Sequence, residues 1–226
     1  MYQNGIKSLK KECRMSNHLR TLGKLAAAAA AVLIMLGLFA CSGSYRILSE
    51  KQTESMAARN VFDSKQQRTV VEAALSLVGR VSYFWGGKYY SVGECPDWGT
   101  LREVTSPGHS TSGTVIPFGL DCSGFVTWCF CQTGAGKEKV LETVGDGTWN
   151  QWFNSEPIEK GEARLGDVAF SKEYPGSKSN HVGVVVGFIN GEPVIAHCTP
   201  AENTVVVSTC ADTFIYFRRF AAFPAG

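Results

Sequence analysis

The chain has 226 residues, a formal net charge of +2 and eight cysteines. A charge balance this even, with no basic stripe interleaved with aromatics, excludes a nucleic-acid binder, and 44% hydrophobic against 19% charged residues excludes a disordered chain. No internal repeat appears, and setting aside the first 41 residues leaves 185, enough for a single core.

Lys7, Lys10, Lys11, Arg14, Arg20 and Lys24, opposed only by Glu12, precede an uncharged stretch from Leu25 to Tyr45. That order predicts an export signal, with the basic flank retained in the cytoplasm and the rest of the chain outside. The alanine-rich run has no polar face, so it does not read as a surface helix of a folded domain. A start at Met15 would give a more ordinary signal length. Leu38-Phe39-Ala40-Cys41 resembles a bacterial lipoprotein cleavage box in which Cys41 would be lipidated, although Phe39 is bulky for that position. Left uncleaved, the 21-residue stretch would reach across a bilayer, which needs about 20 residues. The lipid anchor is the preferred reading. The expected organisation is residues 1–41 as signal or anchor, 42–67 as a polar tether, and 68–226 as one domain.

Val70, Ala74, Leu77 and Val78 predict an amphipathic helix ending at Gly79. The stretch from Lys88 to Leu120, carrying Tyr89, Tyr90, Cys95, Trp98, Pro107 and His109, reads as a long loop, and loops of this length in compact domains are functional or mobile. A second helix begins at Cys122, with Cys122, Phe125, Val126 and Cys129 on one face and Asp121 as its N-cap. The positive end of that helix and a nearby imidazole would both favour the Cys122 thiolate. Asp146 to Phe153 predicts a short aromatic helix. Strands are expected at Asp167 to Lys172, His181 to Phe188, Glu192 to His197, Thr204 to Ser208 and Phe214 to Phe220. Helices preceding an antiparallel sheet are an α+β pattern.

The hairpin around Ile189-Asn190-Gly191 decides whether His181 and His197 can meet. A two-residue Asn190-Gly191 turn would pair Ile189 with Glu192 and send the two imidazoles to opposite faces. A three-residue loop closed by a bulge would pair Phe188 with Glu192 and put them on one face. The second register is expected, because it places Gly183, Val185 and Gly187 beside His181, where little bulk obstructs an approaching helix end. Cys122 would then meet His181 as general base, with His197 holding the ring through its other nitrogen.

Cys122, His181, His197 and Cys198 are also metal-ligand types, but there is no Cys-x-x-Cys or His-x-x-x-His, and Cys129 and Cys131 diverge on a helix. No metal is expected. Without Cys13, Cys41 and Cys122 five cysteines remain, an odd number that favours a mostly reduced protein. Cys198 points away from its neighbour His197 and is assigned to packing.

Asp121-Cys122-Ser123-Gly124-Phe125-Val126, Tyr83-Phe84-Trp85-Gly86-Gly87, Gly166-Asp167-Val168-Ala169-Phe170, His181-Val182-Gly183 and His197 resemble, in order of position, the successive motifs of the NlpC/P60 family of cell-wall cysteine peptidases. The resemblance spans about residues 68 to 220. It implies a papain-like α+β fold and hydrolysis of peptidoglycan stem peptides, typically between D-glutamate and a diamino acid, without a cofactor. It implies Cys122 as nucleophile, His181 as base, His197 as orienting residue, Tyr83 near the oxyanion, and Asp121 and Ser123 in contact with substrate. The expected partners are stem peptides and, through the N-terminal segment, the membrane, with the protein a monomer. Two other functions share the fold: an amidase or acyltransferase using the same triad, and a non-catalytic wall-binding protein. The chain departs from the family at Lys88 to Leu120, an insertion expected to wall one side of the cleft.

Overall fold

The computed structural model describes residues 45–221, so the expected N-terminal hydrophobic helix, the cleavage box and Cys41 lie outside the described residues. No described helix is long and apolar enough to cross a membrane. Among the described residues there are five α-helices: α1 (Glu50–Ala57), α2 (Lys65–Ser76), α3 (Cys122–Cys131), α4 (Lys137–Thr143) and α5 (Gly147–Phe153). An antiparallel six-stranded sheet runs in the order β3 (Ser155–Ile158), β8 (Tyr216–Phe220), β4 (Val168–Phe170), β5 (Val182–Ile189), β6 (Glu192–Thr199), β7 (Thr204–Thr209). The mixed α+β class expected from the sequence is the one observed.

Strand alternation divides the core. Val168, Phe170, Val182, Val184, Ala196, Cys198, Val205 and Val207 pack with α2 and α3 on one face. Ala169, Val185 and Ile195 pack under Phe214, Phe217 and Cys210 on the other. Ser64 caps α2 by accepting from the Gln67 amide at 3.1 Å, and the helix buries Val70 and Ala74 of the predicted stripe together with Val71 and Ala73. α3 is buried on every side, not on the single face expected. The insertion supplies part of its second cover, with Trp98 meeting Trp128 at a ring separation of 5.7 Å. At the start of β4, Asp167 is buried and takes both arms of the Arg219 guanidinium at 2.7 Å, which ties β4 to β8 and gives the Gly166-Asp167 motif a structural role.

Two expectations are corrected. Residues 45–67 are not a free tether: Ile47 bridges to Ser208, the Leu48 amide donates to the Val207 carbonyl at 2.8 Å, and Met56 of α1 is buried against the sheet. The stretch from Lys88 to Leu120 is not structureless. It forms the ribbon β1 (Leu101–Glu103) with β2 (Val115–Pro117) and an apolar cluster of Phe84, Cys95, Val104 and Phe118. Trp128 of α3 and Gln132 at its C-cap fasten it through the Gly93 backbone at 2.9 and 2.7 Å.

Candidate active site

The β5–β6 ribbon achieves the expected juxtaposition by a different route. Its turn is the two-residue kind, with Asn190 and Gly191 at φ of 52° and 81°, and Ile189 pairs with Glu192. The register then slips at Val186: Gly187 faces Val194, whereas Val185 faces Ile195 and Val184 faces Ala196. The bulge thus sits within β5 rather than at the loop. It restores the parity that the turn alone would break, and His181 and His197 share a face. Gly187 does not share it, since a Cβ there would lie 1.6 Å from Met56 Sδ on the helix side. Gly183 does: a Cβ there would meet Ile195 Cγ2 at 2.5 Å, the Ala196 carbonyl at 2.7 Å and His197 Cβ at 2.9 Å. That glycine makes room for His197, not for a helix end.

His181 Nε2 and His197 Nδ1 are 2.9 Å apart, and His197 Nε2 is 3.0 Å from Ser208 Oγ on β7. This chain leaves His181 Nδ1 as the nitrogen able to take a proton. The His181 amide donates to Asn180 Oδ1 at 2.9 Å and Ser171 Oγ at 3.1 Å, which fixes the backbone under the ring. Phe214 covers both imidazoles, at ring separations of 5.5 and 5.0 Å, and Tyr45 sets its ring against His197 at 4.8 Å. Neither Ser208, Asn180, Phe214 nor Tyr45 was expected at the site. Each comes from a segment whose local pattern is that of an ordinary strand, turn or tether.

Cys122 opens α3, and its thiol engages the backbone at Val182, the residue after His181, and at Ser123. Asp121 caps the helix as expected, accepting from the Gly124 amide at 2.6 Å. Its carboxylate also accepts from the Gly86 amide at 3.1 Å and from Lys88 Nζ at 2.6 and 2.8 Å, and Lys88 Nζ reaches Ser123 Oγ at 2.6 Å. Asp121 and Ser123 are therefore buried and hydrogen-bonded within the protein. Gln151 of α5 braces the same turn by donating to the Ser123 carbonyl at 2.8 Å.

The electrostatics correct the idea of a preformed thiolate. Burial, seconded by Asp121, pushes the Cys122 thiol up to about 12, against the lowering by Lys88 and the backbone amides. Burial likewise brings His181 down to about 4, and His197 lies well below the ordinary imidazole range through burial and its neighbour His181. At rest the Cys122 thiol and the His181 imidazole are both neutral. Tyr83, buried near Cys122, has its hydroxyl held well above the ordinary phenol value by burial, so it stays a donor. The insertion delivers His109 to this edge, stacked on Trp85 at 5.1 Å and 5.8 Å from the Tyr83 ring. Cys198 turns to the helix side and donates to the Leu120 carbonyl at 3.2 Å, so it diverges from His197. Among the described residues, no group of three or more His, Cys, Asp or Glu side chains converges on a point where a metal ion could be held.

A sequence model of the NlpC/P60 family matches residues 80–220. The fold is similar to that of the P60 domain from Mycobacterium avium subspecies paratuberculosis antigen MAP1204, at 21% identity and a TM-score of 0.50 over 73% of this chain and 100% of that one. It is also similar to the peptidoglycan hydrolase RipB from Mycobacterium tuberculosis, at 22% identity and a TM-score of 0.48 over 72% and 69% of the two chains. RipD from Mycobacterium tuberculosis, described as a non-catalytic NlpC/p60 domain protein, matches at 19% identity and a TM-score of 0.46 over 69% and 98%. No curated protein matches this chain.

Proposed function

The chain belongs to the NlpC/P60 family, and on that premise we propose that it is an exported cysteine peptidase that hydrolyses peptidoglycan stem peptides, cutting between D-glutamate and a diamino acid. The observation that carries the reading is the His181–His197–Ser208 chain, with its 2.9 and 3.0 Å contacts, together with a helix-opening Cys122 thiol that meets the backbone of Val182, the residue after His181. His181 Nδ1 takes the Cys122 proton as the sulfur attacks the substrate carbonyl, so the thiolate arises only during reaction. The Cys122 amide, unpaired as the first of its helix, and the Tyr83 hydroxyl donate to the oxyanion. His181 then protonates the leaving amine, and water cleaves the resulting thioester. His197 keeps the His181 ring in the required orientation. No cofactor enters these steps.

The insertion forms one wall of the cleft by stacking its His109 on Trp85, and narrows substrate choice there. The basic N-terminal segment and the uncharged stretch after it support export, with Cys41 as the lipidated anchor and the domain outside the membrane. Cys41→Ser is expected to abolish labelling by radioactive palmitate; undiminished labelling would remove the lipoprotein reading.

The decisive experiment incubates the fragment beginning at Ser42 with purified sacculi and reads the products by mass spectrometry, beside Cys122→Ala. Peptides with a new free diamino-acid amine, present only with the parent fragment, are expected. Sacculi bound but unchanged by both proteins would favour wall binding, and release of a different bond would favour an amidase.

A further inference from the structure

Lys88 enters the site from the insertion, directly after the glycine pair. Its Nζ lies 2.6 and 2.8 Å from the two Asp121 oxygens, 2.6 Å from Ser123 Oγ and 3.5 Å from Asp146 Oδ1, and only 19% of its side chain is exposed. A lysine ordinarily leaves its ammonium in water. Here all three of its N–H groups have oxygen partners within the protein. The carboxylate it meets belongs to the residue immediately before Cys122, is itself buried, and caps the helix that presents the thiol. A negative charge so placed opposes formation of a thiolate next to it.

We propose that Lys88 is a positioning residue for the nucleophile: its ammonium fixes the Asp121 carboxylate as the cap of α3 and offsets that negative charge beside the Cys122 sulfur as the thiolate forms. The inference rests on Cys122 being the nucleophile. The groups that act on the sulfur are Asp121, Lys88, Tyr83 and Cys198, with the backbone of Val182, next to His181, beside it and Asp146 behind Lys88. Tyr83 and Cys198 stay protonated and His181 stays neutral around pH 8, so the fixed charges that act there are the two carboxylates and the one ammonium. Asp121 pushes the thiol up and Lys88 pulls it down.

The test is the rate at which iodoacetamide alkylates Cys122 in the full-length chain at pH 8, read by peptide mass spectrometry. Below the thiol's pKa this rate follows the thiolate fraction, so a change of one pH unit in that pKa is tenfold in rate. Lys88→Met is expected to slow alkylation about tenfold. Lys88→Arg, which keeps the charge, is expected to retain most of the rate. Lys88→Met/Asp121→Asn should recover it, because both charges are gone and asparagine still caps, and Asp121→Asn alone should exceed the parent rate. An unchanged rate in Lys88→Met, or a double variant no faster than the single one, overturns the proposal. If Lys88→Met fails to fold, Asp121→Asn decides, and a rate no higher than the parent's overturns it. Alkylation needs no wall substrate: a parent chain inert on sacculi would sink the peptidase reading alone, and a charge-insensitive thiol in an active enzyme would sink this one alone.

Discussion

The Ser208 hydroxyl, which can accept as well as donate, ends the chain of imidazoles. For His181 Nδ1 to accept a proton, Nε2 must donate to His197 Nδ1, and His197 Nε2 must then donate to Ser208 Oγ. Ser208→Ala removes the acceptor that holds this arrangement. It is expected to lower kcat several-fold with little change in KM, and to cost about 1 kcal/mol of stability for one buried hydrogen bond; equal kcat for both proteins would deny Ser208 any part in orienting His197. The same scale explains why helix position does not make Cys122 an anion. A helix end contributes about 0.3–1 kcal/mol to an exposed charge, whereas taking a charge out of water costs several. Burial therefore dominates, and the thiol rises to about 12.

The β5–β6 ribbon acts as one device with two irregularities, a two-residue turn and a bulge at Val186, and both are needed to bring the histidines together. Gly183→Ala would force a Cβ against backbone oxygen and His197 Cβ. The expected cost is about 1–3 kcal/mol, measured by denaturant unfolding, together with loss of most hydrolysis. Gly187→Ala meets Sδ, Cγ and Cε of the flexible Met56 side chain rather than backbone, so a smaller loss is expected; a larger loss at Gly187 than at Gly183 would mean that the ribbon yields where the imidazoles do not. Residues 45–48, which run along β7, support the ribbon from outside. Tyr45→Ala removes the ring edge packed on His197, an interaction of about 0.5–1.5 kcal/mol, and should lower kcat and stability together, which parallel kinetic and melting measurements on the full chain would check.

For the molecule as a whole, the buried histidines set a direction for acid sensitivity. His181 has a folded-state value of about 4 against an ordinary 6.5, so between those limits the unfolded chain binds more protons and stability falls as pH falls. The contribution is complete above about pH 6.5 and lost on approach to about pH 4, on the order of 3 kcal/mol from this one group. His197 acts in the same direction. Melting temperature should therefore drop between pH 7 and pH 4.5, and His197→Asn should flatten part of that slope; a parent chain whose melting temperature is level over this range would contradict it. Much of the architecture was legible beforehand: the α2 stripe, the Asp121 cap, the Cys122 helix, the aromatic helix α5 and the later strands all follow from patterns spanning a few residues. Less legible were α4 and β3, which carry little periodicity, and the packed course of residues 45–67, whose polar composition resembles a tether. The residues that surround the chemistry were legible only in part. Local spacing placed Cys122 at a helix start and His181 and His197 on one ribbon, as observed, because side-chain period and capping are properties of consecutive residues. The meeting of Lys88 with Asp121, of Ser208 with His197 and of Tyr45 with the same ring was decided by tertiary structure alone, since each joins segments at least 11 residues apart whose approach depends on a bulge, a folded insertion and an added edge that no local pattern encodes.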